Sequence, residues 1–328
     1  MNKIDFILTW VDGSDPAWQK LKSEYDPDYT IGSAHYRDWG LLRFWFRSIE
    51  KYAPWVNKIH FVTCGQVPEW LNAEHPKLHL VDHKDYIPEE CLPTFSANPI
   101  ELNFHRINDL SEQFVYFNDD TFLSAPVVAE DFFKNGLPLD SFKLSALVPS
   151  VKNEVITYIL FNDLLLINAN FNKNACVKKN VFKYLNFKYG KDNLKTLYYL
   201  LIGKFSGFEN PHLPNAFLKS TFKEVWAAEG DYLEKVSKNK FRTKEDVNQY
   251  LMRYWRLVKG EFVPRSSNIG RCYTLGIDNE SIENSLKNQR YKMICLNDNS
   301  QLDDIEAEQQ WICNLFEQLF PEKSSFER

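Results

Sequence analysis

The chain has 328 residues, of which 44% are hydrophobic and 15% aromatic, and it carries a formal net charge of −5. That apolar content suffices for a sizeable core and excludes a disordered chain, while the charge gives no general attraction to nucleic acid. No stretch of about 18 consecutive apolar residues occurs, so we expect a cytoplasmic protein without a membrane span. Any phosphate would be bound by a few placed cations.

Short β-forming segments alternate with helical ones in the first half of the chain. Alternation of this kind predicts an α/β fold with a mainly parallel sheet, in which ligands bind beyond the carboxyl ends of the strands. Polar residues end the predicted strands at Asp12, Gly65, Asp82 and Asp119, so we expect these positions along one edge of the sheet. The predicted strands are 4–11, 58–64, 78–83 and 114–119, and the predicted helices are 38–52 and about 98–108.

The rest of the chain predicts two further parts. Residues 150–265 are dense in Lys, Asn and Phe and predict a mainly helical subdomain packed on the α/β part at 1–149. Residues 266–328 predict a strand at 291–298 and an acidic helix that return to the core. No Pro/Gly/Ser-rich linker separates these parts, so we expect them to pack together.

The cysteines are scattered along the chain. No two are close enough to form a Cys-x-x-Cys pair, so the spacing supports neither a zinc motif nor a redox motif. A disulfide framework is unexpected in a chain this large with so few cysteines. We expect reduced, mostly buried thiols at Cys64, Cys91, Cys176, Cys272, Cys295 and Cys313.

Two acidic turns are candidate ligand sites. Asn118-Asp119-Asp120 follows a predicted strand, and adjacent carboxylates there could hold Mg²⁺ or Mn²⁺, which prefer oxygen ligands. Asp12 and Asp15 flank Gly13, which would let a ligand approach the backbone. Both segments also suit turns or helix caps that bind no ligand, and this alternative stays open.

Candidate phosphate-binding cations are spread over the chain. An arginine among apolar residues needs an anion, for which a diphosphate is one candidate and an internal carboxylate the commoner one. His212 lies between Pro211 and Pro214, which would fix its ring, although lone histidines are more often structural. Together with the acidic turns, these cations suit phosphoryl transfer. They are Arg37, Arg43, Arg47, His105, Arg106, His212 and Arg242.

The segments around these residues resemble the four conserved blocks of the Stealth family. That family includes bacterial capsular polysaccharide phosphotransferases and the animal N-acetylglucosamine-1-phosphotransferase. IDFILTWVDGSDP at 4–16 is similar to the first block, and the stretch ending in FVYFNDDTFL is similar to the second. The second block covers 37–72, 75–88 and 92–123, the third 210–226 and 239–260, and the fourth 292–299 and 315–327.

The resemblance implies a nucleotide-sugar-binding core like that of A-type glycosyltransferases, with a helical addition and a bound Mg²⁺ or Mn²⁺. It implies transfer of a sugar 1-phosphate from a UDP-sugar, such as UDP-N-acetylglucosamine, to a hydroxyl of a capsular or cell-surface polysaccharide. The implied partners are a nucleotide-sugar donor and a polysaccharide or oligosaccharide acceptor, with no nucleic acid. Peripheral association with the capsule assembly machinery, at the inner face of the cell membrane, is also suggested.

Roles are carried over position by position from the resemblance. It suggests catalysis by Asp119, Asp120, His212 and Arg242; donor binding by Asp12, Asp15, His105, Arg106 and Asn118; and metal binding by Asp119, Asp120, Asn297 and Asp298. Leu41, Asn98-Pro99 and Asn299 depart from the family pattern and bear on acceptor contacts.

Two alternative functions stay open at this point. An ordinary glycosyltransferase would need the same donor site and acids but would release a nucleoside diphosphate. A non-catalytic glycan-binding protein would stack sugars on Trp and Tyr side chains, and it would have no need of the acidic pair or the histidine loop.

Overall fold

The computed structural model describes residues 3–26, 36–149, 155–299 and 301–328, and its helices and strands are as follows. The strands are β1 (Ile4–Thr9), β2 (Ile59–Thr63), β3 (Leu78–Asp82), β4 (Gln113–Phe117), β5 (Thr121–Leu123), β6 (Phe133–Lys134), β7 (Leu137–Asp140), β8 (Asn215–Leu218), β9 (Val263–Pro264), β10 (Gly270–Thr274) and β11 (Met293–Asn297). The helices are α1 (Pro16–Tyr25), α2 (Leu42–Tyr52), α3 (Ala97–Leu102), α4 (Val155–Asn170), α5 (Lys173–Tyr184), α6 (Asp192–Leu200), α7 (Lys219–Ser237), α8 (Tyr250–Lys259), α9 (Asn279–Lys287) and α10 (Ile305–Leu319).

The central sheet has five strands in the order β3-β2-β1-β4-β8. Strands β1 to β4 are mutually parallel, and β8 joins the edge antiparallel to β4. This arrangement confirms the predicted α/β fold with a mainly parallel sheet. Because the four parallel strands run the same way, their carboxyl ends share one edge of the sheet, as expected.

Alternate residues of the central strands feed two hydrophobic cores. In β1, Phe6 belongs to the core that includes α2 and α10, whereas Ile7 belongs to the core that includes α7 and α8. Both side chains are fully buried. A sheet covered on both faces explains why its strands read as continuous apolar runs and not as alternating polar and apolar residues.

A second sheet of three strands, in the order β10-β11-β5, lies at the carboxyl edge of the central sheet. It is short, but it connects three distant parts of the chain. The β5 strand follows Asp119-Asp120 directly and pairs antiparallel with β11. The backbone N–H of Leu296 donates to the carbonyl of Asp120 at 2.8 Å, which ties the acidic turn to the C-terminal part.

The segment 150–265 carries α4 to α8, in agreement with its predicted helical character. It also contributes β8 to the central sheet, so this segment is joined to the α/β part by strand pairing as well as by helix packing. The exact three-part division stays a prediction. Within the described residues, no helix is long and apolar enough to cross a membrane.

Candidate active site

A cleft of about 270 Å³ opens at the carboxyl edge of the central sheet. Its walls come from the ends of β4 and β11, the loop before β8 and the loop before α8. These elements are far apart in sequence, and the fold brings them to one place. Eight of the residues predicted from sequence line it: Arg37, Asn118, Asp119, Asp120, His212, Arg242, Asn297 and Asp298.

The acidic side of the cleft suits a divalent cation. Asp120 Oδ1 is buried and has no hydrogen-bond partner among the described residues, while Oδ2 accepts from the Cys295 thiol at 3.4 Å. Burial and the charges of Asp120 and Asp38 raise the pKa of Asp119 to about 7, and burial also raises the pKa of Asp120. A cation would satisfy the free oxygen and offset this repulsion, so the residues fit Mg²⁺ or Mn²⁺.

His212 faces these acids from the loop that precedes β8. Its Nε2 lies 3.7 Å from Asp120 Oδ2 and 3.2 Å from the Asn118 side-chain amide. Burial alone would lower the pKa of His212, but the hydrogen bond with Cys272 and the charge of Asp120 outweigh it and raise the pKa to about 9. The imidazole is therefore a cation at neutral pH, beside a pair of carboxylates.

A buried ion network holds the loop that carries His212. The Arg253 guanidinium in α8 binds both carboxylate oxygens of Asp140, from Nε at 2.9 Å and from Nη2 at 2.8 Å. Its Nη1 donates to Asn210 Oδ1 at 2.8 Å and to the Glu209 carbonyl at 3.0 Å. Since Asn210 is two residues before His212, this network positions the imidazole together with the flanking prolines.

Comparison with known proteins identifies the family. Three family models match the chain, described as Stealth protein conserved regions 1, 2 and 4, over residues 2–30, 35–139 and 284–328. The chain is 45% identical to the capsular polysaccharide phosphotransferase WcwK of Streptococcus pneumoniae, covering 100% of this chain and 99% of that protein. It is 38% identical to the exopolysaccharide phosphotransferase cps2G of Lactiplantibacillus plantarum, covering 99% of this chain and 96% of the relative. The chain belongs to the Stealth family.

Two further similarities accompany this result. The receptor polysaccharide phosphotransferase WefC of Streptococcus oralis is 40% identical, with full coverage of both chains. A crystal structure of the galactosyltransferase LgtC with donor and acceptor sugar analogues matches with a TM-score of 0.43 at 10% identity, covering 98% of this chain and 96% of that one. The named relatives show that the Stealth protein is an enzyme of the phosphotransferase class, and its own sheet establishes the α/β fold.

Some predicted residues of the Stealth enzyme lie outside the cleft lining. Asp15 caps the N-terminus of α1 by accepting from the Ala17 backbone, and Asp12 accepts from Ser14. Gln66 ties the two together, since its side chain bonds the backbone of Asp12 and the carboxylate of Asp15. Asp12 and Asp15 therefore stabilise the turn before α1, and their roles in donor binding stay predictions.

His105 and Arg106 lie elsewhere as well. The Arg106 guanidinium is 4.8 Å from the ring centre of Trp226, and the His105 ring is 5.5 Å from the same tryptophan. Neither residue lines the cleft. Their assignment to donor binding stays a prediction that the geometry of the cleft does not support.

The arginines among apolar residues have mixed partners. Arg47 binds the carboxylate of Glu327 at 2.8 Å. An internal carboxylate of this kind is the commoner partner of a buried guanidinium. Arg37 lines the cleft and binds Asp298 at 2.9 Å. A metal role for Asp298 stays a prediction.

Sequence reasoning missed several groups at the site of the Stealth enzyme. Asp38 adds a carboxylate to the cleft, and Glu101 is buried beneath, where it accepts from the Tyr116 hydroxyl at 3.0 Å. Burial raises the pKa of Glu101 to about 7. Cys272 and Cys295 flank His212. Only the register of β10 and β11 brings these two thiols together, so their spacing in sequence gave no signal.

Proposed function

We propose that this Stealth enzyme transfers a sugar 1-phosphate from a nucleotide-sugar, with a UDP-sugar such as UDP-N-acetylglucosamine as the leading candidate, to a hydroxyl of a capsular or cell-surface polysaccharide. The product is a phosphodiester, and a nucleoside monophosphate leaves. One observation carries the proposal: the carboxylates Asp119 and Asp120 and the cations His212 and Arg242 line a single cleft, with His212 Nε2 3.7 Å from Asp120 Oδ2. The names of the relatives, all polysaccharide phosphotransferases, support the same reaction.

In the proposed mechanism an acceptor oxygen forms a bond to the phosphorus next to the sugar, and the bond from that phosphorus to the nucleoside phosphate oxygen breaks. Asp119 takes the proton of the acceptor hydroxyl because it lines the cleft and because its raised pKa, about 7, suits a general base. Asp120, with its free Oδ1, holds the divalent cation, which supplies charge neutralisation at the diphosphate when bound. His212 and Arg242 bind the phosphoryl oxygens, where negative charge grows.

The identity of the released nucleotide tests this function. The protein would be incubated with Mg²⁺, an acceptor glycan and a panel of nucleotide-sugars, and the products separated by ion-exchange chromatography. We expect free nucleoside monophosphate in amounts equal to the phosphodiester formed. Release of the diphosphate would instead assign the chain to the ordinary glycosyltransferases, and glycan binding without any turnover would assign it to the binding proteins.

Replacing His212 tests its charge. We expect His212→Gln to lower kcat by about 10²-fold, since one preorganised donor to a transition-state anion is worth this much. The raised pKa of about 9 sets the sign of the pH effect: wild-type activity falls as pH rises through 9 and the cation is lost. The variant should lack this alkaline decline. His75→Gln is the control, since it changes a histidine that contacts Ser325 and does not line the cleft.

We further propose that the enzyme works peripherally at the inner face of the cell membrane, where the assembly machinery would present the acceptor. A stripe on α6 supports this location. Leu194, Leu197, Tyr198 and Leu201 recur at helical spacing on one side and are exposed, Leu194 to 73% and Leu201 to 81%. On the inward side, Thr196 is buried and its hydroxyl accepts from the Leu144 backbone. The helix therefore presents its apolar side to solvent.

The surroundings of this α6 stripe suit an anionic lipid surface. Phe182 and Phe187, before α6, are 87% and 85% exposed. Residues 178–204 hold seven lysines and a single acid, Asp192, in a chain whose net charge is −5. Lysines beside exposed aromatic and aliphatic side chains are typical of surfaces that insert shallowly between anionic headgroups.

A vesicle assay tests the membrane contact. We expect the wild type to sediment with phosphatidylglycerol vesicles and much less with neutral phosphatidylcholine vesicles. The double variant Leu194→Ser/Leu201→Ser should bind at least about tenfold more weakly, because each leucine buried in lipid contributes roughly 1.5 kcal/mol or more. Ile277→Ser is the matched control, since Ile277 is 72% exposed outside this segment. Equal vesicle binding of the two variants would contradict the proposal. If the wild type and Ile277→Ser are dimers and the double variant is a monomer, the stripe is instead the contact with a second copy of the chain.

A further inference from the structure

Two cysteines lie side by side at the cleft. Cys272 on β10 and Cys295 on β11 are partners in the register of two parallel strands, so their side chains leave the same face of the sheet. Cys272 is exposed and Cys295 is buried beneath it. The His212 loop lies over this pair, and β5 places Asp120 next to β11. Four potential ligands from four separate parts of the chain therefore meet here.

The distances among these groups match those of a metal site. Ligand atoms of Cys272, Cys295 and His212 all lie within 4.8 Å of one another. Cys295 Sγ is 3.6 Å from His212 Nδ1 and 3.4 Å from Asp120 Oδ2. Two ligands bonded to one tetrahedral Zn²⁺, at Zn–S and Zn–N bonds of about 2.3 and 2.0 Å, are roughly 3.3–3.8 Å apart. The two sulfur contacts fall in this range before any ion is bound.

We propose that Cys272, Cys295 and His212, with Asp120 Oδ2 as the fourth ligand, bind a thiophilic divalent cation, for which Zn²⁺ is the expected ion. Two thiolates and an imidazole select such an ion over Mg²⁺, which prefers oxygen ligands. His212 would bind through Nδ1, the nitrogen that faces Cys295. Its Nε2–H would then donate to Asn118 Oδ1 once that amide is flipped from the orientation in which Nδ2 lies 3.2 Å away, and such an outer partner orients metal-bound histidines.

This site overlaps the proposed catalytic groups, so Zn²⁺ bound here occupies His212 and Asp120 together. The enzyme would then be inhibited by Zn²⁺ in competition with Mg²⁺. That consequence rests on the proposed function, whereas binding of the ion depends only on the four ligands. Binding is therefore measured without any turnover, which keeps failure of the site distinguishable from failure of the proposed reaction.

Co²⁺ serves as the spectroscopic probe, added to the full chain in the presence of a phosphine reductant that keeps the thiols free. We expect one Co²⁺ per chain, with the near-ultraviolet absorption of thiolate-to-cobalt charge transfer and the visible bands of tetrahedral Co²⁺. Zn²⁺ should displace it stoichiometrically. Cys272→Ser changes an exposed residue and should fold normally, yet it should lose at least about half of the charge-transfer intensity, since one of two thiolates is removed.

The control is Cys176→Ser, on α5 and away from the cleft, which should give the wild-type spectrum. His212→Gln should weaken Co²⁺ binding while keeping both thiolate ligands, so it distinguishes the contribution of the imidazole to Co²⁺ binding from that of the two sulfurs. A wild type with reduced thiols and no charge-transfer band would overturn the proposal. So would a band that Cys272→Ser leaves unchanged.

Discussion

Asp120→Asn should lower kcat by about 10²- to 10³-fold and leave the fold intact. The substitution keeps the size of the side chain and removes the charge that would hold the cation, and losses of this size follow removal of a preorganised electrostatic group. Oδ1 of Asp120 has no partner among the described residues, so no structural hydrogen bond to that atom is lost. Steady-state kinetics at saturating Mg²⁺ and donor would measure the effect.

The control for this experiment is Asp303→Asn, which changes an exposed acid just before α10. It carries the same chemical change outside the cleft and should leave kcat within a factor of about two of the wild-type value. Asp119→Asn should also be impaired, because it removes the proposed base. Near-normal turnover of both cleft variants would reject the assignment of these two aspartates.

Asp140→Asn should cost about 3–5 kcal/mol in the free energy of unfolding, since it leaves buried guanidinium groups without their counter-ion. Arg253 and Arg256 are essentially inaccessible, and both bind Asp140, Arg256 at 2.6 Å. Burial alone would raise the pKa of Asp140, but the two arginines outweigh it and hold the pKa well below the ordinary value. Two buried nitrogens of Arg256 already lack a hydrogen-bond partner among the described residues, so no other nearby acceptor would replace the lost carboxylate.

Urea denaturation followed by circular dichroism measures this loss. Glu234→Gln is the matched control, because Glu234 also pairs with a cation, Lys238, but on the surface, where solvent and salt screen the pair and its loss should have little effect on stability. Because Arg253 also holds Asn210, Asp140→Asn should raise the mobility of the His212 loop and lower kcat even where the protein stays folded. Equal stability of both variants would show that the buried network does not stabilise the fold.

The sequence was informative where structure depends on local pattern. Apolar runs bounded by Gly, Pro and Asp predicted β1 to β4 and β11 to within about two residues at each end. The alternation of strands with helices predicted a mainly parallel sheet, but it did not predict the strand order. The acidic turn after β4 was found because adjacent carboxylates at a strand end are chemically distinctive. His212 and Arg242 were candidate cations from the sequence itself, the resemblance assigned both to catalysis, and both line the same cleft as the aspartates.

What the sequence could not supply is long-range register. The β8 strand is four residues long and β10 is five. The partner of β8 lies roughly 100 residues away and the partner of β10 lies 23 residues away, so no local sequence period reveals either pairing. For the same reason the sequence predicted only reduced, mostly buried thiols and did not reveal that the exposed Cys272 lies beside the buried Cys295. Asp140 and Arg253 were not singled out either, since the two partners of this ion pair lie 113 positions apart and neither local sequence indicates the pairing.

The central claim is that a diphosphate is enclosed between a cation on the aspartates and the pair His212 and Arg242. Isothermal titration of the protein with uridine, cytidine and guanosine diphosphates, with Mg²⁺ and again with a chelator, tests it most directly. We predict that at least one nucleotide binds in Mg²⁺, and that its affinity falls at least about tenfold with the chelator, in Asp120→Asn and in Arg242→Gln. Equal affinity with and without the metal, or in both variants, would contradict the account.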